Sequence, residues 1–288
     1  MELLPQLLIN SLVAAAVYAL VAVSFSLVYG ATKFFNLAHG VLAGVGGYAF
    51  FYAVESLRLG FVVSLIVGVA VGACVGFGMD WLVYRPLRRR RASNMVMLVA
   101  SLGVFSILQA GLAIFFTSQF RGLASYLPVQ ETYEIGGAFV TQIQIVIFAL
   151  ALLLSAGLGS LLWKTRFGRA VRAVSDDEEV AKIVGVNTDR VIAAVFALGA
   201  AITALSGILV GFDTGLEPTM GMKLLLKGVI AAIIGGAGSI SGALLGAALL
   251  GLAENFGIWK ISGQWKDAIA FMLLIAFLIF RPQGIVKR

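Results

Sequence analysis

The chain has 288 residues, 60% of them hydrophobic and 12% charged, with a formal net charge of +7 and a mean hydropathy of +1.01. Soluble domains carry about 25% charged residues, so this composition excludes a soluble globular protein. Apolar runs long enough to cross a hydrocarbon core of about 30 Å recur along the chain, and the ten-residue alternation of a β-barrel is absent.

The expected fold class is an all-α integral membrane protein, a polytopic helical bundle of about eight or nine spans with short or broken helices. The opening "MELLPQLLIN" lacks a basic n-region and no small-residue cleavage site follows, so residues 8–30 read as a retained span and not as a signal peptide. Further candidate spans are 36–54, 61–84, 93–117, 140–163, 191–212, 223–237, 239–256 and 265–281. Three connections are strongly charged: "RPLRRRR" at 85–91, the stretch 164–190, and the tail "RPQGIVKR". The positive-inside bias puts all three in the cytoplasm and 118–139 outside. Counting back from 85–91 places the N-terminus outside and Lys33 inside. The stretch 223–256 reads equally as two crossings or as one re-entrant hairpin.

The basic residues at the ends of apolar runs are accounted for by lipid headgroups, so no nucleic-acid partner is expected. Cys74 is the sole cysteine, which leaves no disulfide framework and no metal set. The longest polar connection is 164–190, so residues 1–288 read as a single transmembrane domain. "AHGVLAGVGGYAF" and "SISGALLGAALLG" echo one another, which fits an inverted repeat or the chance likeness of two Gly/Ala-rich helices.

The first motif is "FFNLAHG", which follows Gly30, Ala31, Thr32 and Lys33 and contains the chain's one histidine. Asn36 and His39 are three apart and would share a face of a helix. With Gly40 they are expected to line a conduit, since polar groups in a membrane usually face a cavity, the alternative being that they only hydrogen-bond neighbouring helices. "RPLRRRR" reads as a positive anchor to anionic lipid or as a partner contact.

The loop 164–190 holds eleven of the 35 charged residues. Within it "SDDE" has capping-box spacing: Ser175 can accept from the Glu178 N–H while Glu178 reaches back. Asp176 and Asp177 then fall in a first turn, where the helix dipole favours them, and Gly185 supplies the left-handed residue after the last turn. The expected helix has about nine residues, with Val180, Ile183 and Val184 on one face. So short a helix is marginal alone, and its apolar face suits a groove on a cytosolic protein.

In "GGAGSISGALLGA", small residues let helices pack closely, and Gly235, Gly236, Gly238 and Ser239 are expected to form a backbone break on the substrate path. The few ionisable residues in spans, Asp80, Lys227 and Glu254, form no relay across the core. A carrier with no ion-coupling machinery takes its energy from a partner.

"YALVAVSFSLVYGATKFFNLAHG", "YRPLR", "GRAVRAVSDDEEVAKIVGVNTDRV" and "GGAGSISGALLGA" together, in order from about residue 8 to 286, resemble the LivH-type permeases of bacterial branched-chain amino-acid ABC importers. The resemblance implies an inner-membrane, multi-pass permease with a periplasmic N-terminus and a cytoplasmic C-terminus. It implies a second, homologous permease subunit (LivM-like), two ATP-binding subunits and a periplasmic substrate-binding protein as partners. It also makes 164–190 the coupling segment, its pattern falling on Asp176, Ala181 and Gly185. Urea and short-chain amide importers use permeases of the same kind. No G-x-x-x-x-G-K-[ST] loop occurs, so the chain is expected to have no cofactor and no catalytic residues, ATP being used by the partner subunits. The rival reading is a self-sufficient carrier or channel.

Overall fold

A computed structural model describes residues 3–117, 119–127, 131–259 and 262–286. Residues 118 and 128–130 of the 118–139 connection, and the last two residues of the basic tail, lie outside these. Eight helical segments among the described residues are long and apolar enough to cross a bilayer.

The spans are α1 (Leu3–Thr32), α2 (Val41–Glu55), α3 (Phe61–Met79), α5 (Asn94–Phe116), α6 (Gln142–Lys164), α9 (Thr188–Asp213), α11 (Ile240–Gly257) and α12 (Lys266–Phe280). The short α4 (Arg85–Arg89) extends α3, and α7 (Arg166–Asp176) and α8 (Glu178–Ile183) fill the charged loop. A further helix, α10 (Met220–Gly235), has 16 residues, about 24 Å of helix. It forms an antiparallel hairpin with α11.

Small residues set the packing. Along α3, Gly68, Gly72 and Gly76 lie against Ile208, Ala204 and Ala200 of α9, so close that a Cβ would come within 2.8 Å of each. In lipid, where apolar side chains gain little by hiding from tails, such approach is what holds helices together. Helices α1, α2 and α9 are the most buried spans, and α5 and α12 lie at the periphery.

Contacts at the helix ends define two faces. The Gln6 side chain pairs with the Phe139 backbone, donating at 3.1 Å and accepting at 2.8 Å, so the start of α1 shares a face with the 118–139 connection. On the opposite face Ile285 and Val286 donate to the Ile234 and Gly235 carbonyls at 2.9 and 3.0 Å. The C-terminal segment thus lies beside the α10–α11 turn.

Two local features depart from expectation. The span expected to end at residue 84 runs on through Pro86 to Arg89, because Asp80–Tyr84 form a widened turn in which the Arg85 N–H donates to the Asp80 carbonyl. Such π-turns absorb a local misfit in the helical ladder. The 118–139 connection contains a hairpin, β1 (Thr132–Ile135) and β2 (Ala138–Thr141). Gly136 and Gly137 turn it, both at positive φ (59° and 83°), as a two-residue hairpin turn requires.

Candidate functional site

The break after α1 climbs back into the bundle. Lys33 takes a positive φ of 56°, the chain extends to Asn36, and one tight turn, Leu37–His39, leads into α2. Asn36 is therefore not on a helix with His39; it caps the tight turn, its Oδ1 accepting from the Ala38 N–H at 3.1 Å. That same oxygen accepts from the Tyr84 hydroxyl at 2.8 Å. His39 goes elsewhere: its Nε2 lies 3.0 Å from Ser24 Oγ and 2.8 Å from Thr203 Oγ1, which are 2.8 Å from each other.

The shared face expected of Asn36 and His39 is thus replaced by two clusters, because a capped turn and not a helical one carries them. Each side chain is 1% exposed. His39 ties α1 and α9 to the start of α2; Ser24 and Thr203, unremarkable residues in apolar runs, gave no sequence signal of that role. Asn36 Nδ2 is buried with no partner among the described residues. Gly40 meets another backbone, since a Cβ there would lie 2.5 Å from the Gly221 carbonyl oxygen.

This geometry gives His39→Leu a defined outcome. Ser24 and Thr203 retain their mutual bond, and the lost partner costs about 1–3 kcal/mol. The variant is expected to have a lower melting temperature and a proportionally lower yield of folded protein. A variant that melts with the wild type would show that the cluster adds nothing to stability.

The glycine turn brings two backbones together. A Cβ on Gly235 would sit 1.9 Å from the Gly242 carbonyl oxygen, so the two backbones touch. Gly236 and Gly238 take φ of 109° and 89°, which favour glycine. Ser239 caps α11, accepting from the Gly242 N–H at 3.1 Å. These four residues lie at the face carrying the charged loop.

In that loop the helix start differs from the expected one. Ser175 lies inside α7, buried, and its hydroxyl donates to the Gly30 carbonyl at 2.6 Å. The cap is Asp177, whose Oδ1 accepts from the Glu179 and Val180 N–H groups at 2.8 and 3.0 Å. Asp176 closes α7 and does not open the next helix, so α8 has six residues instead of nine. Glu178 does not reach back to close a box; it pairs with Lys182 at 2.6 Å and accepts from Thr188 at 3.3 Å.

Two expectations hold. Gly185 has a φ of +87° with nothing near it, and the Lys182 carbonyl accepts its N–H at 3.1 Å. Val180, Ile183 and Val184 are 54%, 84% and 70% exposed, while Ala181 faces the bundle at 2%. The loop, the end of α1 and the glycine turn converge: a Cβ on Gly30 would be 3.3 Å from Ser175 Oγ and 3.7 Å from Gly238 Cα.

A bundle of spanning helices with polar groups pinned inside it, and a charged loop offering a short apolar ridge, has the architecture of a membrane transport permease. Residues 7–278 match the family model described as the branched-chain amino acid transport system permease component. The chain belongs to that family. It is 33% identical to the high-affinity branched-chain amino acid transport system permease protein BraD of Pseudomonas aeruginosa, over 98% of this chain and 95% of that one. It is 32% identical to LivH of Escherichia coli K12, a permease protein of the same kind of system, over the same shares. A probable LivH of Methanocaldococcus jannaschii is 28% identical over 92% of this chain and 87% of its own length. Among solved structures, PsaBC from Streptococcus pneumoniae in complex with Fab aligns over 98% of this chain and 93% of that one, at 16% identity and a TM-score of 0.47.

Proposed function

We propose that this chain is the membrane permease subunit of an ATP-binding cassette importer that moves branched-chain or related neutral amino acids into the cytoplasm. The observation that carries the reading is the family match across residues 7–278. The chain itself makes and breaks no covalent bond. It works beside a second, LivM-like permease subunit, two ATP-binding subunits that use the ATP, and a periplasmic substrate-binding protein. It resides in a bacterial inner membrane with the 118–139 face periplasmic and the face of 85–91, 164–190 and the C-terminus cytoplasmic, as the positive-inside bias supports.

The exposed ridge of α8 supports an ATP-binding subunit as the partner of the charged loop, since an apolar helix face fits a groove. Asp176, Asp177, Glu178 and Gly185 border that ridge, while buried Ser175 and Ala181 fasten it to the bundle. Gly185→Val forces a β-branched residue to positive φ, a strain of about 1–3 kcal/mol. ATP-driven uptake is expected to fall about fivefold or more at normal insertion; wild-type uptake by the inserted variant would remove the coupling role.

The deciding experiment isolates the assembled complex through a tag on this chain and measures radiolabelled leucine uptake in proteoliposomes. Uptake that needs both ATP and the binding protein is expected. Gradient-driven flux through this chain alone would make it a carrier, and uptake of urea instead of leucine would reassign the cargo. For sidedness, Glu134→Cys in a Cys74→Ala background is expected to react with an impermeant thiol reagent on intact cells. Reaction at Arg90→Cys instead would invert the orientation.

A further inference from the structure

We propose that the cleft between α5 and the loop leading into α10 is an entry subsite for an aliphatic zwitterion. This rests on the importer reading above and deepens it by naming where the cargo is first held. The cleft has a volume of about 450 Å³, within the range of about 300–1,000 Å³ usual for small-molecule sites. Its place in the fold suits entry. The lining part of α5 is its second half, toward the 118–139 face, and the other wall is the segment 217–219. That segment is held at the same face, because neighbouring Leu216 exchanges backbone hydrogen bonds with Arg121 at 3.1 and 2.7 Å.

The chemistry of the walls matches the two ends of one kind of molecule. A neutral amino acid offers an ammonium, a carboxylate a few ångströms away, and an aliphatic side chain. Glu217 on the wall and Lys223 beside it present the opposite pair of charges, with Lys223 Nζ 3.2 Å from Glu217 Oε2. Their side chains are 44% and 72% exposed, so a ligand can insert between them at little cost, because exposed ion pairs are weak. Half-buried Gln109, which makes no side-chain hydrogen bond among the described residues, stands ready to accept from an ammonium or donate to a carboxylate. The apolar remainder of the wall is Phe105, Ala110, Ala113, Phe120 and Pro218, two phenyl rings and a proline around two methyl-sized side chains that leave room for a branched aliphatic group. By contrast His39 is sealed in the interior, so this cleft and not the 33–40 break is where cargo and chain first meet.

The test uses the assembled importer in proteoliposomes, with radiolabelled leucine and alanine as probes, and begins with leucine uptake by the wild type. Ala110→Trp fills the apolar wall from an exposed position. It is expected to cut leucine uptake per complex about tenfold or more while alanine uptake falls less than threefold, the scale on which a pocket discriminates aliphatic side chains. Glu217→Gln is expected to raise KM for both amino acids about fivefold, because the ammonium loses its counter-charge at a half-exposed site. The inference is overturned if Ala110→Trp lowers both cargoes equally, if it releases a subunit from the complex (the cleft is then an interface), or if KM is unchanged in Glu217→Gln. A wild type that takes up no leucine overturns the importer reading itself, and this inference with it.

Discussion

Lys227→Met is expected to lower the melting temperature of the detergent-solubilised chain by roughly 6–20 °C, from a loss of about 3–5 kcal/mol. Glu254 is fully buried, accepting from the Tyr18 hydroxyl at 2.7 Å and paired with Lys227 at 2.5 Å. Lys227 also holds Asp267 at 2.8 Å, while Lys266 stands 3.9 Å from Glu254. The network ties α1, α10, α11 and α12 together. Removing the ammonium leaves a buried carboxylate with one hydroxyl and one distant lysine, and an uncompensated buried charge is far costlier than a missing pair. Adding Glu254→Gln to Lys227→Met should therefore recover most of the loss. A single variant that melts with the wild type would show that water reaches Glu254.

Gly246→Ala is expected to abolish recovery of the assembled complex, although alanine is the better helix former. A Cβ at Gly246 would lie 1.9 Å from the Ala231 carbonyl oxygen, where ordinary contact begins at 3.4 Å. Helices α10 and α11 would have to part by about 1.5 Å, too much for close-packed backbones to absorb. The separation would also draw Lys227 from Glu254. Gly157→Ala on α6 is the control: no atom lies within 4 Å of that Cβ, so about 0.8–1 kcal/mol of helix propensity is gained and nothing is displaced. Equal yields of the two variants would overturn the backbone contact.

What could be read from the residues divides along physical lines. Span positions were legible because a bilayer demands long apolar runs, and the turn-forming role of Gly185 was legible because a C-terminal cap is local. The hairpin at 132–141 was also within reach: "TYEIGGAFVT" sets two glycines between alternating residues. The coupling-loop cap was not. "SDDE" offers three consecutive acceptors, Ser175, Asp176 and Asp177, and the first is claimed by the Gly30 carbonyl, 145 residues away in sequence, which takes its hydroxyl. Likewise His39 carries polarity that a sequence reveals, but its partners Ser24 and Thr203 are met only once α1 and α9 are packed.

The bond from Ser175 to Gly30 has a mechanical consequence. Helix α1 has 30 residues, a strut of about 45 Å. At one end it is fastened to the charged loop through Gly30, and at the other to the surface hairpin through Gln6 and Phe139. A single stiff member therefore joins the two sides of the membrane, with the slack confined to the stretch that starts at Lys33. A push on the loop tilts the strut as a whole, and whatever rests on the hairpin bears part of the load.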